Sequence, residues 1–340
     1  MNSKRIGLHI SGVLVVLAGS SLAGETLAGA GATFPYPLYQ KWIAAFAEKL
    51  PDLAITYRPV GSGAGIDLLK NGAVDFAASD APLSDDALRG MPVKLLHIPA
   101  VVGGVVPIYH IDGIVRDLRF TPQVVAGIYL GKIKRWDDPL IRAANRGIRL
   151  PAREIAVVHR SDGSGTTYVW TSYLSKVSDE WRTAIGSGTD VKWPTGAGAA
   201  QNEGVADAVR NTPDSIGYVE YIYALEAHLS YGSVRNASGR YVQADLASLP
   251  AAAASFADPP SGDFRLSISN AQGPAAYPIA AYTYFLVPKK FATRDKAKAM
   301  LQFLRWALTS GQKQSAALGY AALPAQVAKR ALDALGAIEQ

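Results

Sequence analysis

An apolar run from Ile155 to Val158 leads into Arg160-Ser161-Asp162-Gly163-Ser164-Gly165-Thr166-Thr167. Trp170, Tyr173, Leu174 and Val177 follow at i, i+3, i+4 and i+7. That order predicts a strand, a tight turn and an amphipathic helix, since the apolar spacing switches to a helical period directly after the Gly/Ser/Thr segment. A strand feeding straight into a helix must pack the two as adjacent layers, which points to an α/β fold. The first turn of a helix leaves backbone N–H groups unpaired and carries partial positive charge. Hydroxyls and one guanidinium beside it suit a small oxyanion. The Asp162 carboxylate in the middle should repel one.

The same grammar recurs along the chain. Leu53 to Val60 reads as a strand, Gly61-Ser62-Gly63-Ala64-Gly65 as a turn, and Ile66 to Lys70 as a helix start. Ala73 to Ala78 reads as a short strand ending in Ser79-Asp80-Ala81-Pro82. Ala28 to Pro37 reads as a Gly-rich turn, opening a helix with Tyr39, Trp42, Ile43 and Phe46 on one face. Pro35 and Pro37 suit the opening turn, where a missing N–H costs nothing. His97 to Ile111 is apolar throughout and suits a buried strand or a crossover between lobes. Gly186 to Gly204 reads as irregular, with a helix from Gln201; Ser215 to Val219 and Ile279 to Val287 read as strands. Ala251 to Pro260 reads as loop-prone. Helices follow around Met300, Phe303, Leu304 and Ala307, and after Pro324.

At 340 residues, two domains are expected. An apolar share of 49% against 18% charged excludes a disordered or fibrous chain. The net charge of +6 is spread among acids rather than clustered, so no nucleic-acid partner is expected. Residues 1–23 have the form of a cleaved signal peptide: Lys4 and Arg5, an apolar run from Ile6 to Leu17, then Ser21-Leu22-Ala23. With no cysteine anywhere, disulfides, thiol chemistry, cysteine metal sites and a lipid anchor on an N-terminal cysteine are excluded. No His-Glu-x-x-His or comparable metal cluster exists, and neither metal nor cofactor is expected.

Three Ser/Thr/Gly turns open helices, at Thr33-Phe34, Ser62-Gly63 and Ser164-Gly165-Thr166. Ser and Thr are ordinary helix caps, so a single such turn identifies nothing; three invite a common purpose. Gly61-x-Gly63-x-Gly65 has the wrong spacing for a dinucleotide loop. Ser164 stands between glycines, as a hydrolase nucleophile would, but Asp162 fills the place where the elbow needs glycine. His97, His110, His159 and His228 have no spacing that marks one as its base. Asp80 and Asp162 suit turns and caps. Beside an oxyanion they acquire another meaning: a carboxylate only accepts hydrogen bonds, so it tolerates an anion that brings a proton, as phosphate does, and disfavours sulfate, which brings none.

Six segments in series resemble the periplasmic phosphate-binding protein of the Pst-type ABC phosphate transporter. They are Ala28 to Pro37, Gly61-Ser62, Asp75 to Ser84, Tyr129 to Asp137, Arg160 to Thr166 and Gly217 to Tyr221. The resemblance runs over essentially the whole chain after residue 23. It implies the two-lobed periplasmic-binding-protein fold of the type II kind, with lobes 24–103 plus 282–340 and 104–281, a two-stranded hinge and a ligand cleft between them. It implies a monomeric, non-enzymatic receptor in the periplasm that passes inorganic phosphate to inner-membrane ABC permease subunits with their cytoplasmic ATPase. By position, Thr33, Phe34 and Ser62 would donate to phosphate, and Asp80 would accept its proton. Arg160 would pair with the anion, held by Asp162, itself able to accept from phosphate. Ser164, Gly165 and Thr166 would donate from the helix start. Gly63-Ala64 departs from a common Ser-Gly pair, and His159 from a common arginine.

Overall fold

The computed structural model describes residues 25–114, 117–254 and 263–339. The expected signal peptide, 1–23, and the Asp258 to Pro260 stretch lie outside the described residues. From the N-terminus the order is β1 (Glu25–Gly31), α1 (Tyr36–Ala47), β2 (Leu53–Pro59), α2 (Ser62–Lys70), β3 (Phe76–Ser79), α3 (Asp85–Arg89) and the long β4 (Leu95–His110). Next come β5 (Arg119–Phe120), α4 (Pro122–Tyr129), α5 (Pro139–Ala144), β6 (Ala156–Arg160), α6 (Gly165–Val177), α7 (Asp179–Ala184), β7 (Ala197–Ala199), α8 (Gln201–Asn211) and β8 (Ser215–Glu220). The chain finishes with α9 (Tyr221–Glu226), β9 (Ser230–Tyr231), β10 (Ser233–Arg235), β11 (Tyr241–Val242), α10 (Ser248–Ala254), β12 (Ala280–Pro288), α11 (Arg294–Ala307) and α12 (Ala325–Ala334).

The main sheet has the order β2-β1-β3-β12-β4-β8-β6-β7, and β5, β10 and β11 make a small second sheet. β1 runs parallel to β2 and β3, and β6 parallel to β8 and β7. β4 connects these two parallel groups. Its residues from Leu95 to Gly104 pair antiparallel with β12, and those from Val105 to His110 pair antiparallel with β8. The apolar run around Gly103-Gly104 is therefore one continuous strand that changes partner midway. Its side chains are buried almost throughout, because it is sheet-interior in both halves.

Each half has its own aromatic core. In the first, Tyr39 of α1 stacks on Phe285 of β12 with ring centroids 4.6 Å apart, and Trp42, Phe76 and Phe303 pack around Phe285. In the second, Trp170 of α6 stacks on Tyr218 of β8 at 5.0 Å. The amphipathic spacings predicted for α1, α6 and α11 supply these buried faces.

Four local readings are corrected. Ala28 to Gly31 is not turn but the end of β1, buried between β2 and β3. A Cβ at Gly29 would overlap the Phe76 ring, so the Gly/Ala composition reflects close approach within a sheet. The Gly61 turn is shorter than expected, since α2 starts at Ser62. Ala251 to Ala254 belong to α10, where alanine's helix preference and burial of Leu249, Ala252 and Ala253 prevail. The Gly186 to Gly204 region includes the short β7, paired in parallel with β6.

Candidate oxyanion site

Every expected site residue lies at the carboxyl end of a strand or just beyond it. Thr33 and Phe34 follow β1, Ser62 follows β2 as the first residue of α2, and Asp80 follows β3. Arg160 ends β6, and Asp162 sits in the turn before Ser164, Gly165 and Thr166 open α6. In α/β sheets this edge is where ligand crevices form. Here the edges of the two sheet halves face each other. Gly63 N–H donates to Gly163 O at 2.9 Å, so the turn before α6 touches the start of α2 through a backbone hydrogen bond. A Cβ on Gly165 would overlap Asp80 Oδ2 and Ser62 Oγ. Thr33 Oγ1 and Thr166 Oγ1 both accept from Asn202 Nδ2, at 2.8 and 3.3 Å.

The groups brought together are mostly donors. Ser164 caps α6, its Oγ accepting from Thr167 N–H at 3.1 Å, while its own hydroxyl proton stays free to donate. Gly165 and Thr166, as the first two residues of α6, have amides with no intrahelical acceptor. The Arg160 side chain is buried; Nε and Nη2 engage Asp162 Oδ1 and Oδ2 at 2.7 and 2.5 Å. That fork fixes the guanidinium plane, and the remaining Nη1 is buried without a hydrogen-bond partner among the described residues. Phe34 contributes backbone: its carbonyl takes the Tyr320 hydroxyl at 2.6 Å, and its ring packs where a Gly103 side chain would stand.

The two aspartates differ electrostatically. Asp162 is half-buried, which works against its charge, but the Arg160 fork and the Gln201 amide outweigh burial and hold its carboxyl below the usual range. Asp80 is 2% exposed. Desolvation pushes its pKa up to about 7, although Thr283 Oγ1, donating to Oδ1 at 2.7 Å, and the Arg160 charge pull the other way. Asp80 Oδ2 has no hydrogen-bond partner among the described residues. Nearby Glu220 is fully buried as well; burial raises its pKa well above the ordinary value, with Asp80 adding to that effect.

A family model described as a PBP superfamily domain matches residues 18–310. The phosphate-binding protein PstS of Xylella fastidiosa (strain Temecula1) is 43% identical over 305 residues, covering 89% of this chain and 83% of its own. The chain belongs to the PstS phosphate-binding protein family. A phosphate-binding protein from Stenotrophomonas maltophilia shares the fold with a TM-score of 0.69 at 20% identity, over 91% of this chain and 93% of that one. An ABC-type phosphate transport receptor from Vibrio cholerae does so at 0.56 and 18%, over 88% and 100%. The architecture of this PstS family member is accordingly the two-lobed α/β fold expected from its motifs.

Other expectations are placed by the same geometry. Ser164 Oγ bonds the α6 backbone, and no histidine among the described residues hydrogen-bonds it. His159 Nδ1 instead lies 3.0 Å from Arg160 O, its ring stacked on Trp193, while His97 Nε2 accepts from Leu83 N–H. No group of acidic or histidine side chains suited to a metal occurs among the described residues. Their helices include none long and apolar enough to cross a membrane. Three neighbours of the site went unread in the sequence. Thr283 is the one small polar side chain in an otherwise apolar and aromatic strand run, a detectable anomaly. Glu220 belongs to the Gly217 to Tyr221 segment, where nothing local marks it as a site residue. Asn202, one residue into a helix, looked like any polar residue at a helix start.

Proposed function

We propose that this chain is a periplasmic receptor that captures inorganic phosphate between its lobes and passes it to an inner-membrane ABC permease powered by a cytoplasmic ATPase. In this reading residues 1–23 direct export, and the lobes are 24–103 plus 282–340 and 104–281. The exchange of β4 partners between Gly104 and Val105 supports that division. Family membership supports the transport role, as does the likeness to a receptor described as ABC-type.

One observation carries the choice of ligand. Asp80 Oδ2 is a buried, unpartnered acceptor set against Ser62 Oγ and Gly165, among groups that are mostly donors. Burying such an oxygen unpaired is costly, and the cost is relieved by a guest that shares a proton with it. Phosphate has that proton while presenting other oxygens to Thr33, Ser62, Ser164 and Thr166, to the Phe34, Gly165 and Thr166 amides, and to Arg160. Asp162 holds Arg160 in place and keeps an oxygen near the anion's edge. Capture needs no covalent step. The charge-assisted bonds form in a site that closure has dried, where they are strongest.

Calorimetric titration of ligand-stripped protein tests this. Phosphate should bind one to one, arsenate should compete, and sulfate should be rejected at pH 8. Equal binding of sulfate and phosphate at that pH would refute the proton-sharing role of Asp80.

A further inference from the structure

Asn202 is fully buried in the first turn of α8 and touches both lobes. Its Oδ1 accepts the Glu220 N–H at 3.0 Å. That bond settles which way the amide faces, because a backbone N–H must meet an oxygen. The NH2 end then points at Thr33 Oγ1 in one lobe and Thr166 Oγ1 in the other, at 2.8 and 3.3 Å. An amide nitrogen donates and never accepts, so both hydroxyls spend a lone pair on Asn202 and keep their single proton for another acceptor.

We propose that Asn202 is a positioning residue, which commits the Thr33 and Thr166 hydroxyls to donate toward the bound anion and does so only when the lobes meet. The inference rests on the phosphate reading and deepens it. One amide hydrogen serves each lobe, so separating the lobes removes the Thr33 bond and frees that hydroxyl to turn away. The preceding residue reinforces the arrangement. Gln201, held at φ 63°, donates its N–H to Asp162 Oδ1 at 3.0 Å and its side-chain amide to Pro59 O, in the other lobe, at 2.8 Å. The start of α8 thus joins the Arg160–Asp162 fork, the two hydroxyls and the opposite lobe in a single turn. Its effect on the anion passes through the hydroxyls, not through direct contact.

A double-mutant cycle read by calorimetry with inorganic phosphate tests the proposal. Asn202→Leu should weaken binding about tenfold, the scale of one hydrogen bond to a charged group. The pair Thr33→Val with Thr166→Val should weaken it at least as much. Asn202→Leu added to that pair should cost nothing more, since the hydroxyls it orients are gone. A further tenfold loss in the triple variant, or wild-type affinity in Asn202→Leu, overturns the proposal. Should Asn202→Leu fail to fold, Asn202→Asp carries the test, because it keeps the acceptor for Glu220 N–H. Its carboxylate draws the threonine protons inward, so phosphate binding should fall by more than tenfold; unchanged affinity overturns the proposal. Wild-type protein titrated alongside separates the two readings. If it fails to bind phosphate, both fall; if it binds while the cycle is additive, only the role of Asn202 falls.

Discussion

Gly165, the first residue of α6, meets Asp80, beyond the end of β3, so closely that no Cβ fits between them. Glycine is needed here for space rather than for backbone freedom. Gly165→Ala should therefore hold the lobes apart. Overpacking costs about 1–3 kcal/mol, and the clash is relieved by opening, so phosphate affinity should fall roughly ten- to hundredfold while urea stability without ligand is little changed. Paired titration and urea unfolding check this; full affinity in the alanine variant would contradict the closed geometry.

Asp80 governs both selectivity and pH response. Its folded-state pKa of about 7 lies above the ordinary 3.8, so the fold favours the protonated form. The contribution to stability is fully present below pH 3.8 and is lost as pH rises toward 7, at up to about 1.4 kcal/mol per pH unit. Buried Glu220 is shifted in the same direction, so the comparison must be with Asp80→Asn, which should flatten the Asp80 part of the decline. Urea midpoints of ligand-free wild type and variant between pH 4 and 8 measure it. Parallel curves would rule out Asp80 as the source.

The same shift sets the ligand preference. At pH 8 Asp80 can accept a proton from phosphate but offers none to sulfate. As pH falls below 7, a protonated Asp80 can donate, and sulfate should begin to bind. Asp80→Asn, whose side chain always offers a donor, should bind sulfate at pH 8. Competition titrations at pH 6 and 8 report on this, and a sulfate affinity independent of both pH and the substitution would count against it.

Arg160 is worth more than its charge, because Asp162 fixes the plane of its guanidinium through two bonds of 2.7 and 2.5 Å. Arg160→Ala removes the anion partner and should cost at least tenfold in phosphate affinity. Arg160→Lys keeps a positive charge without the fork and should fall between alanine and wild type. Lysine and alanine variants of equal affinity would show that charge has no part in binding.

The aromatic core of the first sheet half can be tested apart from the site. Phe285 is fully buried against Tyr39, Trp42, Phe76 and Phe303. Phe285→Ala should cost about 3–5 kcal/mol in urea unfolding. Phosphate affinity measured below the unfolding transition should change far less, and a small stability loss would show that the neighbours refill the space.

What the chain alone disclosed was local. The switch from apolar run to helical period marked the segments that became β6–α6 and β2–α2, because side-chain periodicity and capping chemistry act over a few residues. The turns at Thr33, Ser62, Asp80 and Arg160 could be named for the same reason, as could the logic that pairs carboxylates with a protonated anion. Everything requiring distant partners was left to the tertiary structure. Ala28-Gly-Ala-Gly31 looks like a turn, yet is a strand because Phe76 fills the space above Gly29. The apolar run from His97 became one strand serving two sheet halves only because β12 and β8, more than 100 residues downstream, pair with its two ends. Asp80 acquires its raised pKa from burial, with Thr283 opposing it from 203 residues away. Asn202 becomes a site residue because folding brings Thr33, 169 residues earlier, to its amide. Burial and long-range hydrogen bonds depend on which surfaces meet, and no short window of residues carries that information.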